Sequence, residues 1–171
     1  SFTKSTLQGV PELSYPTSLQ FGPDSRLYVA QQDGKIRVYE VERSAPGQYA
    51  VQSAETITLI HTIPNHNDDG TTNANVKRQC TGILVTGTPA NPVIYATSSD
   101  WRIAIGADSG LDTNSGIISR LTWDGAQWSK LDLVRGLPRC EENHAANGMA
   151  LDAATNTLYV AQGGNTNMGA P

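Results

Sequence analysis

The chain has 171 residues and a net charge of −4, with a pI near 5.2 and only 16% of its side chains charged. No basic cluster extends beyond Lys77-Arg78, which argues against nucleic acid as a partner, and no apolar run approaches the ~20 residues that a bilayer span requires. The length suffices for one domain with a sizeable core, and a polar surface of Asn, Thr, Ser, Gln and Gly suits an exported protein whose leader has been removed.

In chain order, the segment up to Pro16 reads as an extended lead-in. Residues 17–30 (TSLQFGPDSRLYVA) then spell a short strand, a turn and a second strand ending in aliphatic-Tyr-small. The same pattern returns at 81–96 (TGILVTGTPANPVIYA) and 147–161 (NGMALDAATNTLYVA), with Tyr28, Tyr95 and Tyr159 in one slot at intervals of 67 and 64 residues. After the first copy, Asp33-Gly34 is the strongest short hairpin signal in the chain, and in residues 35–39 the alternation puts Ile36 and Val38 on one face. Residues 43–53 read as a polar connector, and 56–63 as a further strand by their β-branched content.

Residues 64–75 form a long polar loop, and 98–110 a second one; loops of that length are usually functional or disordered. Residues 115–125 alternate cleanly and turn at Asp124-Gly125, with 128–134 as the returning strand. No stretch keeps apolar residues at i, i+3, i+4, i+7 over three turns, so the fold class is all-β. A repeat with a hairpin core points to a β-propeller. At about 65 residues per repeat the chain supplies two to three blades, with cores at about 17–63, 78–134 and 143–171. A complete ring needs about four to eight. Residues 1–171 are therefore expected to be the N-terminal part of a single propeller domain in a longer polypeptide, its partners being the remaining blades or a second chain. The alternative is a small irregular β domain with a fortuitous repeat.

Cys80 and Cys140 each lie just upstream of a repeat core, where loops of neighbouring blades run side by side. A disulfide between them would stabilise by roughly 3–4 kcal/mol in the chain-entropy model; two buried thiols are the other reading. His61 stands at the end of the expected strand and reads as structural. His66 sits in Asn65-His-Asn-Asp-Asp-Gly70, where Asn67, Asp68 and Asp69 offer the oxygens Ca²⁺ prefers. The alternate acids and final Glu of an EF-hand loop are missing, and a turn closed by Asx hydrogen bonds accounts for the same residues. Trp101, Trp123 and Trp128 are candidates for stacking on sugar rings, although Trp123 and Trp128 flank one hairpin and would more simply pack across it.

Residues 139–148 (Arg-Cys-Glu-Glu-Asn-His-Ala-Ala-Asn-Gly), 159–165 (Tyr-Val-Ala-Gln-Gly-Gly-Asn), 78–85 and 91–95 together carry a resemblance. They look like the pyrroloquinoline-quinone-dependent glucose/sorbosone dehydrogenase-like family of six-bladed propellers, above all those in large secreted bacterial multidomain proteins. The likeness runs from about Tyr15 onward. It implies a secreted sugar dehydrogenase acting on a sugar or polysaccharide, with pyrroloquinoline quinone and Ca²⁺ as cofactors held mainly by later blades. It further implies His144 as the general base and Gln79 near the quinone. The chain departs from the family at Asn143, where Asp precedes the His, and at Gln162-Gly163-Gly164, where Gly-Asp-Gly is usual. Those departures favour a second reading, an inactive propeller kept as an extracellular carbohydrate-binding or adhesion scaffold. A six-bladed lactonase-type hydrolase is a third reading. It would need acids on the inner strands, where the repeats offer Gln20, Gln31 and Gln162.

Overall fold

The structure, a computed structural model, describes residues 4–74, 76–102, 113–139 and 144–164. Among them no residue is helical, and no helix is long and apolar enough to cross a membrane. The first sheet begins with β1 (Leu7–Gln8), β2 (Pro16–Phe21), β3 (Leu27–Gln31), β4 (Ile36–Ala45) and β5 (Gln48–Ile57). Its order is β1-β5-β4-β3-β2, an antiparallel meander with the lead-in strand β1 added parallel to β5. A two-stranded ribbon follows, β6 (Asn65–His66) with β7 (Thr72–Asn73). The second meander is β8 (Arg78–Gly87), β9 (Pro92–Asp100), β10 (Gly116–Trp123) and β11 (Trp128–Leu137), ordered β11-β10-β9-β8. A last hairpin joins β12 (Ala146–Asp152) to β13 (Thr157–Gln162).

The repeat read from sequence is a register repeat in space. Tyr28 lies opposite Gln20, Tyr95 opposite Leu84 and Tyr159 opposite Ala150, so the three tyrosines do share one slot. Asp33-Gly34 makes the expected hairpin turn: Gly34 has φ +87°, and a Cβ there would stand 2.6 Å from the carbonyl oxygen of Arg78. Ile36 and Val38 are buried on one face, as the alternation requires.

Three expectations fail. The loop expected at 98–110 starts later, since Ser98, Ser99 and Asp100 still belong to β9. Residues 43–53 are no connector; they belong to the long β4–β5 hairpin, which turns between Ala45 and Gln48. Both strands leave the core toward that tip, so their residues are solvated on both faces and lose the period of two that would mark them. The strand expected at 56–63 stops at Ile57. The chain then turns, with Thr62 N–H bonded to Thr58 O at 3.0 Å and Ile63 N–H to Ile60 O at 3.1 Å. The β-branched residues there serve burial, since Ile60 and Ile63 belong to the core.

The core lies between the two meanders. Tyr28, Ala30, Ile36, Val38 and Ile57 of the first sheet meet Ile83, Val85, Ile94, Ala96 and Leu121 of the second. Trp128 closes the outer side of this junction. It stands edge-on to Tyr28 with ring centroids 6.5 Å apart, and its indole N–H donates to Glu55 Oε1 at 2.8 Å. Its other neighbour is Trp123, directly opposite in the β10–β11 register at 5.5 Å, so this pair is structural packing across a hairpin.

The innermost strands carry a second kind of bond. β8 pairs on one side with β9, and its other edge would be left open. Gln20 fills that role with its side chain. Its Nε2 donates to Val85 O and its Oε1 accepts from Val85 N–H, both at 2.9 Å, so one carboxamide mimics a peptide group. Ser18 Oγ accepts from Ile83 N–H at 3.3 Å. The Thr17 hydroxyl donates to Cys80 O at 2.8 Å, and the matching Thr81 hydroxyl donates to Ala146 O. In each case the threonine of one repeat bonds the residue before the corresponding position of the next.

Candidate functional site

His144 stands two residues ahead of β12, on backbone that the end of β13 fixes. Gly163 N–H donates to Ala145 O at 3.1 Å, and a Cβ at Gly163 would lie 2.8 Å from His144 Cα. A side chain at 163 therefore collides with the histidine's own backbone. The position where the resembled family has a carboxylate is here sterically committed to glycine. Neighbouring Gln162 turns away and donates to Pro138 O at 3.0 Å. The His144 Nδ1 is buried and has no hydrogen-bond partner among the described residues. Cys140, Glu141, Glu142 and Asn143, which precede it, lie outside the described residues.

Gln79 sits two residues before Thr81 on β8, just as His144 sits two residues before Ala146. Because the Thr81 hydroxyl bonds Ala146 O, the two candidates are brought to the same end of adjacent inner strands. Gln79 is buried and its Oε1 accepts from Ser99 Oγ at 3.1 Å, across the β8–β9 register. Its carboxamide oxygen is thus committed to the sheet in this arrangement.

Behind Gln79 lies a polar layer that sequence reasoning missed. Arg78 is fully buried and donates to Asn65 Oδ1 at 3.0 Å and to Ser115 O. Asn65 in turn donates to Lys77 O at 2.7 Å. Asp100, also fully buried, accepts from Arg102 Nε at 2.9 Å and Nη2 at 2.7 Å, a bidentate pair. Arg102 also reaches Asn67 Oδ1 and His66 O, and Arg139 donates to Arg102 O at 2.5 Å. This network pins the β6–β7 ribbon to the end of the second sheet. It was hidden because its members come from five separated stretches, none with a motif of its own.

The remaining candidates fall into place as structural groups. His61 Nδ1 lies 2.6 Å from Asp33 O and supports the Asp33-Gly34 turn, as expected. The 67–71 segment is a turn: Asp69 Oδ1 accepts from Thr71 N–H at 2.9 Å and from its hydroxyl at 2.7 Å, and Asn67 N–H donates to Thr71 O. The Trp101 ring lies under the Lys77 ammonium at 5.2 Å. Cys80 is a free thiol, so the structure shows no disulfide at this cysteine, and Cys140, its partner in the disulfide reading, lies outside the described residues. The Cys80 sulfur is turned into the apolar core, and burial pushes the thiol pKa up to about 12, leaving it protonated and unreactive. A groove of about 570 Å³ lies between the lead-in and the β4–β5 tip, lined by Lys4, Gln8, Gln48 and Tyr49 and by none of the candidates.

No family model matches the chain, and no curated protein matches it. The functional reading therefore rests on the site and on the resemblance carried by the motifs around it.

Proposed function

We propose that this chain forms consecutive repeats of a secreted β-propeller of the quinoprotein sugar dehydrogenase type, in which His144 accepts the proton of a sugar hydroxyl. The propeller part of the reading is supported by two consecutive meanders joined face to back through bonds that recur at the repeat spacing. The catalytic part is carried by one observation: a histidine two residues ahead of β12 has a buried ring nitrogen with no partner among the described residues. Such an atom calls for an explanation, and a ligand that completes its bonding is one.

The fit to the cofactor is partial. His144 supplies a proton acceptor, and neutral imidazole is suited to that at neutral pH. The carboxylate-clamping and calcium-holding groups are expected from further blades. Quinone, when bound, supplies the acceptor for the hydride leaving the sugar carbon. For Nε2 to take the proton, Nδ1 must carry the ring hydrogen, and no described carboxylate receives it. The imidazolium then forms without the stabilisation that a His–carboxylate pair provides. That same point, with glycine enforced at 163, favours the second reading of a non-catalytic carbohydrate-binding scaffold.

The test is to titrate the protein with pyrroloquinoline quinone and Ca²⁺ and follow dye reduction across a panel of aldoses. Turnover that depends on quinone and disappears in His144→Ala supports the dehydrogenase. Quinone binding without turnover supports the scaffold with a vestigial site, and absence of binding overturns the cofactor assignment.

A further inference from the structure

The two four-stranded meanders differ at one hairpin. Measured from the shared tyrosine slot, Tyr28 lies opposite Val38 on β4 and Tyr95 opposite Arg120 on β10. β10 ends three residues later, at Trp123, whereas β4 runs on for seven, to Ala45. Residues 42–45 and their partners Gln48–Ala50 are therefore an extension that the second repeat lacks. No residue of 42–50 belongs to the core, so packing does not account for it. In repeat architectures such insertions often form the binding face.

The extension is one wall of the groove of about 570 Å³, and every hairpin residue on that groove falls within 44–50. The facing wall is the lead-in, held in register by β1, with Leu7 against Tyr49 and Gln8 against Ala50. A second hollow of about 300 Å³ shares Ser5, Gly47 and Tyr49 with it and adds Arg43. The lining pairs the hydroxyls of Ser5 and Ser44 and the carboxamides of Gln8 and Gln48 with one aromatic ring, Tyr49. Its charges are Lys4 and Arg43, and no carboxylate lines either hollow. The Arg43 guanidinium lies 5.9 Å from the centroid of the Tyr49 ring, its cross-strand partner. Neither cation joins an ion pair among the described residues. Glu42 of the same hairpin is engaged by Gln52 at 2.7 Å. On a chain of net charge −4, the groove is thus a cationic, hydroxyl- and amide-lined site beside an aromatic ring, and of a size that suits a small ligand.

We propose that this groove binds an acidic oligosaccharide. Arg43 and Lys4 take its carboxylate or sulfate groups, Arg43 with a fork of donors that fits them. Tyr49 packs against a sugar ring, and the amides and hydroxyls bond its hydroxyl groups. The site stands apart from both the propeller junctions and the candidate centre. It lies at the β1 edge of the first sheet, across the sheet from β2. Gly34, just ahead of β4, lies against Arg78 O at the Gln79 end, and the tip is at the other end of that strand. The proposal does not depend on the catalytic reading of His144.

The experiment is calorimetric titration of the chain with an oligogalacturonide and a sulfated galactan oligomer, with a neutral galactan oligomer and tripolyphosphate as comparisons. At least one acidic oligomer should bind saturably, about tenfold or more tighter than the neutral one, and more weakly as salt rises. Arg43→Gln and Tyr49→Ser should each weaken it about tenfold or more. Both positions lie outside the core, so circular dichroism should show unchanged folding. Arg135→Gln on β11 and His144→Ala should bind as the wild type does. Absence of saturable binding by both acidic oligomers overturns the proposal. Equally tight binding of tripolyphosphate also overturns it, because charge alone would then suffice. So does a loss in Arg135→Gln matching that in Arg43→Gln, which marks diffuse attraction, or a loss in His144→Ala, which places the ligand at the other site.

Discussion

Leu19 and Phe21 in the first repeat and Ile83 and Val85 in the second hold the same register, each opposite an apolar partner on the next strand. Ile83 and Val85 are 6% and 4% exposed, whereas Leu19 and Phe21 are more than half exposed. The difference does not lie in the residues or the hairpin. It lies in whether another repeat is seated on the face. Sequence sets the pattern inside a repeat, and a neighbouring repeat decides which half of that pattern becomes core.

The comparison can be broken most strongly by truncation. Ile83→Ala should cost about 2–5 kcal/mol by creating a cavity at the junction, while Leu19→Ala should stay within about 0.5 kcal/mol, both read from urea unfolding midpoints. Gly163→Asp tests the corresponding comparison at the candidate site. Restoring the carboxylate of the resembled family should not rescue His144, and should destabilise by about 1–3 kcal/mol through collision with its backbone. Higher dye reduction in that variant would count against the steric account.

Gln20→Ala removes the carboxamide that caps β8 and should cost roughly 1–2 kcal/mol for two hydrogen bonds. The smallest effect concerns pH. Burial alone would raise the Asp24 carboxyl, but hydrogen bonds from Arg26 and Tyr28 outweigh it and hold the group below the usual range. A depressed folded-state value contributes stability that is complete above the ordinary carboxylate value of about 3.9 and is lost as pH falls through the lower one. Asp24→Asn should therefore flatten the acid limb of a stability–pH profile and leave its shape at neutral pH unchanged.

Much of the fold was legible because its signals are local. Asp33-Gly34 and Asp124-Gly125 announce their turns by residue chemistry, and the tyrosine slot is visible as a repeat. The β4–β5 hairpin escaped because its tip is solvated on both faces, and the 56–63 segment misled because β-branched residues were placed for burial in a turn. The capping of β8 by Gln20 was out of reach, since it joins residues 65 positions apart through a side chain. At the site, His144 stood out only through its resemblance to a family motif. The reason for glycine at 163 required coordinates, and the Arg78–Asp100–Arg102 layer has no signature along the chain.

Hydrogen exchange at the Val85 amide tests the central claim most directly, because that N–H is satisfied by a side chain of the neighbouring repeat. The account predicts strong protection at Val85 in the wild type and its selective loss in Gln20→Ala, with Ile94 and Leu121 still protected. Fast exchange at Val85 in the wild type would contradict it, because the repeats would then not be joined at their inner strands.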